Sequence, residues 1–402
     1  MIIALVVFGT RGDVQPTVAL ALRLISENHE VILCVPPEHE SWIKAYGCPV
    51  IAFGTNVKEM IKKGGEKSNN PATRPSIKTM KQEICSQIDK LPDIIRASDL
   101  VIGVGLVHGV PTAAERLGIP YRFMAFYPGI MGAPKEAPLP DRLGFGFGRW
   151  AMNATLLGVL NKKRKSIGMK PVADIWTHWM GENVILASEK SLIPVSEGVD
   201  FPFTQTGYMF LPSLEKLSAE VENFLKAGDP PVFIGFGSNP IHHPEQYGLM
   251  LAEVATTTGR RMIISRGWGA IESAAGMENC LFVDEVPYDL LFPRVAMVIH
   301  HGGIGTMAAA AKAGVPQAAF PFMADQFMNQ KELIKLGVSP KTSTFKKLSA
   351  KVLIQVICEG RINAGYREKA AAIAKEINAD DGTEMTVRLI VGEDPRVLPK
   401  FP

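Results

Sequence analysis

VIHHGGIGTMAAAAKAGVPQAAFPFMADQ, residues 298 to 326, holds two short apolar runs, VIH and QAAF, separated by a glycine-rich turn and an alanine-rich segment. Strand, turn, helix and strand in that order make a βαβ unit, which joins parallel strands. The unit repeats outward from this stretch. PVFIGFG, RMIIS and CLFV read as further strands, with helices near Gln246 to Thr257, Tyr288 to Phe292, Thr306 to Ala313 and Phe327 to Leu336. Helices near Ala350 to Cys358, Gly365 to Ile377 and Glu384 to Val391 close the chain.

The first half has the same rhythm. IIALVVF, EVILCV, DLVIGVG, PYRFMAF and NVILAS are strands, and helices are expected around Pro16 to Glu27, His39 to Tyr46 and Pro111 to Leu117. Alternation of this kind predicts an α/β protein with two doubly wound parallel sheets facing across a cleft. The first domain spans 1–212, a linker 213–230 ends in KAGDPP, and the second domain spans 231–385. Residues 128 to 182, rich in Pro and Gly and with a helix around Arg149 to Lys165, read as a long surface excursion.

With 43 Lys plus Arg against 40 Asp plus Glu, the net charge of +3 leaves no global basic field for nucleic acid. Five scattered cysteines without CxxC spacing suggest neither a zinc site nor a disulfide framework, which fits a cytoplasmic setting. MIIALVVFG reads as a buried strand rather than a signal peptide, and no apolar run reaches the roughly 18 residues of a spanning helix. The basic cluster Lys162-Lys163-Arg164-Lys165 is either a solvated helix face or a peripheral contact with an anionic membrane at its inner face.

Ligands of open parallel sheets gather outside the carboxyl ends of the strands. In the second half those ends carry Gly237-Ser238, Arg266-Gly267-Trp268, His300 through Thr306, and Pro321 through Gln326. Gly302, Gly303 and Gly305 admit close backbone approach, and a helix starting at Thr306 points its positive end at an anion. The spacing is neither a P-loop nor a dinucleotide fingerprint. His300 and Ser238 can donate to phosphate, whereas His301 reads as structural, because successive residues at a strand end point oppositely. Trp268 offers a face for a base, and Asp325 with Gln326 can hold sugar hydroxyls, although Asp325 could instead cap the next helix. Base, diphosphate and sugar together describe a nucleotide sugar. No carboxylate cluster suggests a metal, and no cofactor is called for.

In the first half, Gly9-Thr10-Arg11-Gly12-Asp13 follows a strand, where Asp13 either supports the helix start or acts as a general base across the cleft. His108 is a rival base, and His108, Met124 and Phe126 are the candidate acceptor contacts. Gly103, Gly105 and Gly109 are spaced GxGxxxG, with no acidic residue about 20 positions on, which argues against a dinucleotide oxidoreductase. The same rim residues are compatible with a nucleotide-sugar epimerase of the same two-domain type, whereas Asp13, His300 and Asp325-Gln326 argue against a partner protein without catalysis.

GTRGDVQP (9–16), SRGW (265–268), DEVPYDLLFPR (284–294) and the stretch 300–326 resemble bacterial and fungal glycosyltransferases of the sterol-glucosyltransferase and vancomycin-type antibiotic classes, within the UDP-glycosyltransferase superfamily. The resemblance implies the GT-B fold and inverting, metal-independent transfer of a hexose or deoxyhexose. The donor would be a UDP- or dTDP-sugar, and the acceptor a hydroxyl of a hydrophobic small molecule or lipid. By the same resemblance Trp268 stacks on the base, Val286 touches its edge through the backbone, and His300 contacts the diphosphate with Ser238, the glycines and Thr306. Asp325 and Gln326 then hold the sugar, Asp13 is the base, and residues 386–402 cross back to the first domain. A monomer or weak dimer is expected. The chain departs from the usual pattern at Tyr288 and at Phe327-Met328-Asn329.

Overall fold

The computed structural model describes residues 1–60, 76–133, 139–195, 198–237, 243–267, 275–323 and 325–392. Among them, seven parallel strands form the first sheet: β1 (Ile2–Phe8), β2 (Glu30–Val35), β3 (Ile51–Ala52), β4 (Leu100–Gly105), β5 (Tyr121–Ala125), β6 (Val184–Leu186) and β7 (Phe203–Gln205), in the order 3-2-1-4-5-6-7. Five form the second: β8 (Val232–Gly235), β9 (Met262–Ser265), β10 (Cys280–Val283), β11 (Met297–His300) and β12 (Gln317–Ala319), in the order 10-9-8-11-12. Both are the doubly wound parallel sheets that the strand rhythm predicts. Strand order reverses between β1 and β4 in one and between β8 and β11 in the other, and a crevice opens at each reversal.

Helices cover both faces of each sheet, so in the central strands successive residues are buried. In β1, Ile3, Leu5 and Val7 pack in one apolar cluster, while Ala4, Val6 and Phe8 pack in another on the opposite face. In the second sheet Ile234, Ile264 and Ile299 face one way, and Phe233, Ile263 and Val298 the other. This two-sided burial explains why the strands read as continuous apolar runs.

Local sequence misplaces some boundaries. The first helix is Arg11–Ser26, five residues longer at its start than the Pro16 signal suggests. Its N-cap is Thr10, so Asp13 stands at the third position of the first turn and Pro16 lies inside the helix. The excursion holds a helix at Leu139–Met152, a π turn at Asn153–Leu157 and a helix at Gly158–Ser166. A long amphipathic helix, Ile77–Ile95, is not among the expected elements, although Ile77, Met80, Ile84, Ile88, Leu91 and Ile95 recur at helical spacing, and neither is the edge strand β7, which is too short for a periodic signal.

The chain returns to the first domain near its end. Helix Gly382–Gly392 packs on Arg11–Ser26, with Val387 and Ile390 in the same apolar cluster as Val14 and Val18. Thr386 donates to Thr206 Oγ1 at 2.8 Å, and Arg23 lies 3.9 Å from Asp381 and 3.8 Å from Glu384. Residues 393–402, the end of the expected crossing segment, lie outside the described residues. At the start of this helix two backbones meet, and a Cβ at Gly382 would stand 2.5 Å from the carbonyl carbon of Gly207. Gly382→Ala should therefore separate helix and domain at a cost of about 1–3 kcal/mol, measured by denaturant unfolding of the whole chain.

Candidate active site

The first turn of helix Arg11–Ser26 fixes Asp13. Thr10 N donates to Asp13 Oδ2 at 2.9 Å, and the Thr10 hydroxyl lies 3.4 Å from the same oxygen. The carboxylate is folded back so tightly that a Cβ at Gly9 would come within 2.2 Å of Oδ2. Burial pushes the Asp13 carboxyl up to about 6, against the opposing pull of the Thr10 hydrogen bonds. Arg11 reaches across the cleft to Glu285 at 2.7 Å and lies over the Trp42 ring. Gly12 continues the turn beside the Thr10 hydroxyl.

On the opposite rim, helix Ile304–Lys312 begins after Gly303, which has no side chain to cap it. The N–H groups of the first turn, which contains Gly305 and Thr306, therefore have no side-chain partner from the N-cap and point their positive end outward. Gly302 has φ +90°, a conformation that favours glycine, and its carbonyl accepts from Asn329 Nδ2 at 2.8 Å.

The two adjacent histidines differ in the partners their rings find. His300 is fully buried at the end of β11. Its Nδ1 accepts from Gly302 N at 3.0 Å and its Nε2 pairs with Gln317 Oε1 at 3.0 Å. Both ring nitrogens are occupied inside the fold, and burial holds the ring down to about 3, hence neutral. His301 occupies the space between two loops, where a Cβ at Gly237 would stand 2.8 Å, and one at Gly303 2.3 Å, from its ring. Its Nδ1 is buried with no hydrogen-bond partner among the described residues. Burial likewise lowers His301, to about 4. The ring left with capacity for a ligand is thus His301. A strand-end residue can face solvent or the interior, and the sequence alone does not say which.

Asp325 precedes helix Gln326–Leu336 but makes no capping bond with its side chain. Its carboxyl is raised to about 7, first by burial and then by the charge of Asp13, with Asn329 Nδ2 at 3.4 Å opposing. The two carboxylates, one from each domain, thus interact across the cleft. Gln326 differs from expectation: it is buried, and its Oε1 accepts from Phe322 N at 2.8 Å and Met323 N at 3.2 Å. Its amide oxygen shapes the loop and is not free for a sugar. Arg266 lies 3.4 Å from Asp284 and over the Phe282 ring, while Val286 packs half-buried beside Tyr288. Ser238 and Trp268 lie outside the described residues.

The three acceptor candidates are all buried. Met124 is fully buried within β5, and Phe126 is buried against Tyr208. His108 is 2 % exposed, tilted over Trp179 at 4.3 Å and lowered to about 3 by burial, so it meets no open cleft. Sequence reasoning also missed Tyr208, in the segment after β7. Its hydroxyl would stand 3.1 Å from a Cβ at Gly305, and the charge of Asp13 adds to burial in raising it. Only the folded chain brings residues 13, 208 and 305 together. No local pattern marks Tyr208.

Two parallel-sheet domains with facing rims are the GT-B glycosyltransferase architecture. The structure matches the glycosyltransferase of kitacinnamycin with a TM-score of 0.75 at 17% identity over 99% of each chain. It matches the VinC glycosyltransferase in complex with DTDP with a TM-score of 0.69 at 20% identity, over 97% of this chain and 99% of the other. Residues 3–131 match the Glycosyltransferase family 28 N-terminal domain, and residues 267–391 the Erythromycin biosynthesis protein CIII-like C-terminal domain. Glycosyltransferase GtfE of Amycolatopsis orientalis is 33% identical over 97% of this chain and 98% of its own, and the vancomycin aglycone glucosyltransferase of the same organism 32% over 99% of both. Sterol 3-beta-glucosyltransferase UGT80B1 of Arabidopsis thaliana is 27% identical over 99% of this chain and 69% of its own. The chain belongs to this vancomycin-type glycosyltransferase family and is a glycosyltransferase.

Two outcomes test the geometry. Gly9→Ala must displace the Asp13 carboxylate, and kcat/KM should fall by about 10² with little change in Tm. His300→Ala leaves the Gly302 N–H and Gln317 Oε1 unpartnered and should cost about 2–3 kcal/mol in unfolding, whereas His301→Ala should leave stability nearly unchanged.

Proposed function

We propose that the protein moves a hexose or deoxyhexose from a UDP- or dTDP-sugar to a hydroxyl of a hydrophobic acceptor, in one displacement that inverts the anomeric carbon. The observation that carries this reading is the pair of raised carboxyls, Asp13 and Asp325, that interact across the cleft beside an uncapped helix tip. The donor relationships fit, since a structural neighbour is described as a complex with DTDP and relatives are named as glucosyl- and vancosaminyltransferases.

Asp13, raised toward neutrality, is suited to accept the acceptor's hydroxyl proton while that oxygen attacks the anomeric carbon. The bond from that carbon to the diphosphate breaks, and its electron pair leaves with the nucleotide. The developing charge is met by the first-turn N–H groups of helix Ile304–Lys312 and by His301, which takes the phosphate contact first expected of His300. With this charge met by protein groups, the step requires no metal. Asp325 holds the sugar hydroxyls, and burial keeps the Asp13 carboxyl basic. Tyr208 fills the space between base and helix tip and so sets their separation. The acceptor enters from the first domain, at a face that does not include Met124, Phe126 or His108.

Asp13→Asn should lower kcat/KM by at least about 10² while nucleotide binding, read by calorimetry, is retained. Because the deprotonated carboxylate is the active form, kcat/KM of the wild type should rise with pH through about 6. Asp325→Asn should weaken donor binding, read by calorimetry, while the acid limb stays near 6, because Asp325, raised to about 7, is already protonated where Asp13 titrates. An Asp13→Asn enzyme with near-normal turnover, or unchanged donor binding in Asp325→Asn, contradicts the assignment. Incubating the donor without acceptor separates transfer from epimerisation, since an epimerase needs no acceptor.

A further inference from the structure

The first domain carries a surface that the transfer reaction leaves unused. In helix Leu139–Met152, the side chains of Leu139, Leu143, Phe147 and Trp150 follow one another at intervals of four, four and three, which places them on one face. That face is turned outward. Their exposures are 63, 64, 67 and 64 %, and the Phe147 and Trp150 rings lie 5.6 Å apart on it. The helix is anchored elsewhere on its circumference, with Phe145 edge-on to Trp176 at 5.3 Å and Arg149 Nη2 on Asp174 Oδ2 at 2.8 Å. An ordinary surface helix buries its apolar stripe. Beyond the π turn, a groove of about 670 Å³ between Ile77–Ile95 and Gly158–Ser166 is lined by Ile77, Val159, Lys78 and Lys81.

Within this stretch of the chain the charge is mostly of one sign. Between residues 139 and 166 stand Arg142, Arg149, Lys162, Lys163, Arg164 and Lys165 against the single acid Asp141. Three of the bases are engaged: Arg149 with Asp174, Lys163 with Asp89, and buried Arg164 with Glu115. Arg142, Lys162 and Lys165 are at least partly exposed and have no ion-pair partner among the described residues. We propose that this face docks on an anionic lipid bilayer, with helix Leu139–Met152 lying in the plane of the interface. Phe147 and Trp150 would reach between headgroups, and Arg142, Lys162 and Lys165 would sit against lipid phosphates.

Three observations favour a bilayer over other occupants. A second copy of this chain would bring an identical unpaired basic face into contact with this one, at a repulsive cost. Glycines 144, 146 and 148 leave open space beside the helix and weaken it in water, so the stripe offers no shaped pocket for a protein partner. Among the described residues no helix is long and apolar enough to cross a membrane, so the contact is one of lying on the surface. The cluster Lys162 to Lys165 then contributes two free charges rather than four.

Full-length protein sedimented with phosphatidylcholine vesicles, with and without phosphatidylglycerol, tests this. The wild type should bind the phosphatidylglycerol vesicles, lose much of that binding as salt rises, and shift its tryptophan emission to the blue. Phe147→Ser with Trp150→Ser should lower the partition by at least about 10-fold and abolish the emission shift, with nucleotide binding unchanged as the folding control. Lys162→Gln with Lys165→Gln should remove the preference for phosphatidylglycerol. Failure of the wild type to bind either vesicle overturns the proposal, as does unchanged partition in both double variants. A dimer seen by light scattering and abolished by Phe147→Ser with Trp150→Ser, without vesicle binding, assigns the face to a second copy. A raised acceptor KM in that variant without vesicle binding assigns it to the acceptor.

Discussion

One apolar layer is shared by both sheets, and every distance across the cleft depends on it. It runs from Ile3, Leu5 and Val7 under helix Arg11–Ser26, through Tyr208 and Met209, to Met307, Ala308 and Leu333. The last helix, Gly382–Gly392, completes the layer from the second domain's end of the chain. Burial of this kind is non-directional, so it holds the domains together without dictating register. Register comes from polar contacts at its rim: Arg11 with Glu285, Ser213 with Asp289, and Thr386 with Thr206. An exposed pair such as Arg11–Glu285 adds little stability, and its value lies in orientation.

The chemistry follows from what that layer brings together. Asp13 alone would be a carboxylate in the first turn of a helix, where the dipole favours its charged form. Burial at the cleft outweighs this and raises it, and the charge of Asp13 in turn helps to raise Asp325, which the second domain brings opposite it. The protein thus obtains a base tuned toward neutrality from desolvation, a force that normally counts against stability.

The glycine run at 302–305 shows a division of labour that differs from a simple phosphate cradle. Gly303 leaves the helix tip uncapped, and together with Gly237 it also makes room for the His301 ring. Gly302 adopts a left-handed conformation against Gln326. Glycine is therefore required here both by the protein's own packing and by the open helix end.

Fold class was legible from the sequence because two-sided burial writes each strand as a continuous apolar run, and because βαβ alternation leaves few topologies. The rim loops, with Asp13 and Asp325, were legible for the same reason: polar and glycine residues directly after an apolar run stand out. What the sequence could not determine was the direction in which a side chain points at a strand end, which separates His300 from His301. Nor could it show that Met124, Phe126 and His108 lie beneath the surface, or that Gln326 spends its amide on its own loop. Tyr208 and the exposed stripe from Leu139 to Trp150 depend on which face of each segment the neighbouring elements cover. Local pattern encodes periodicity and polarity, whereas only the packed chain decides which of two opposite faces is left open.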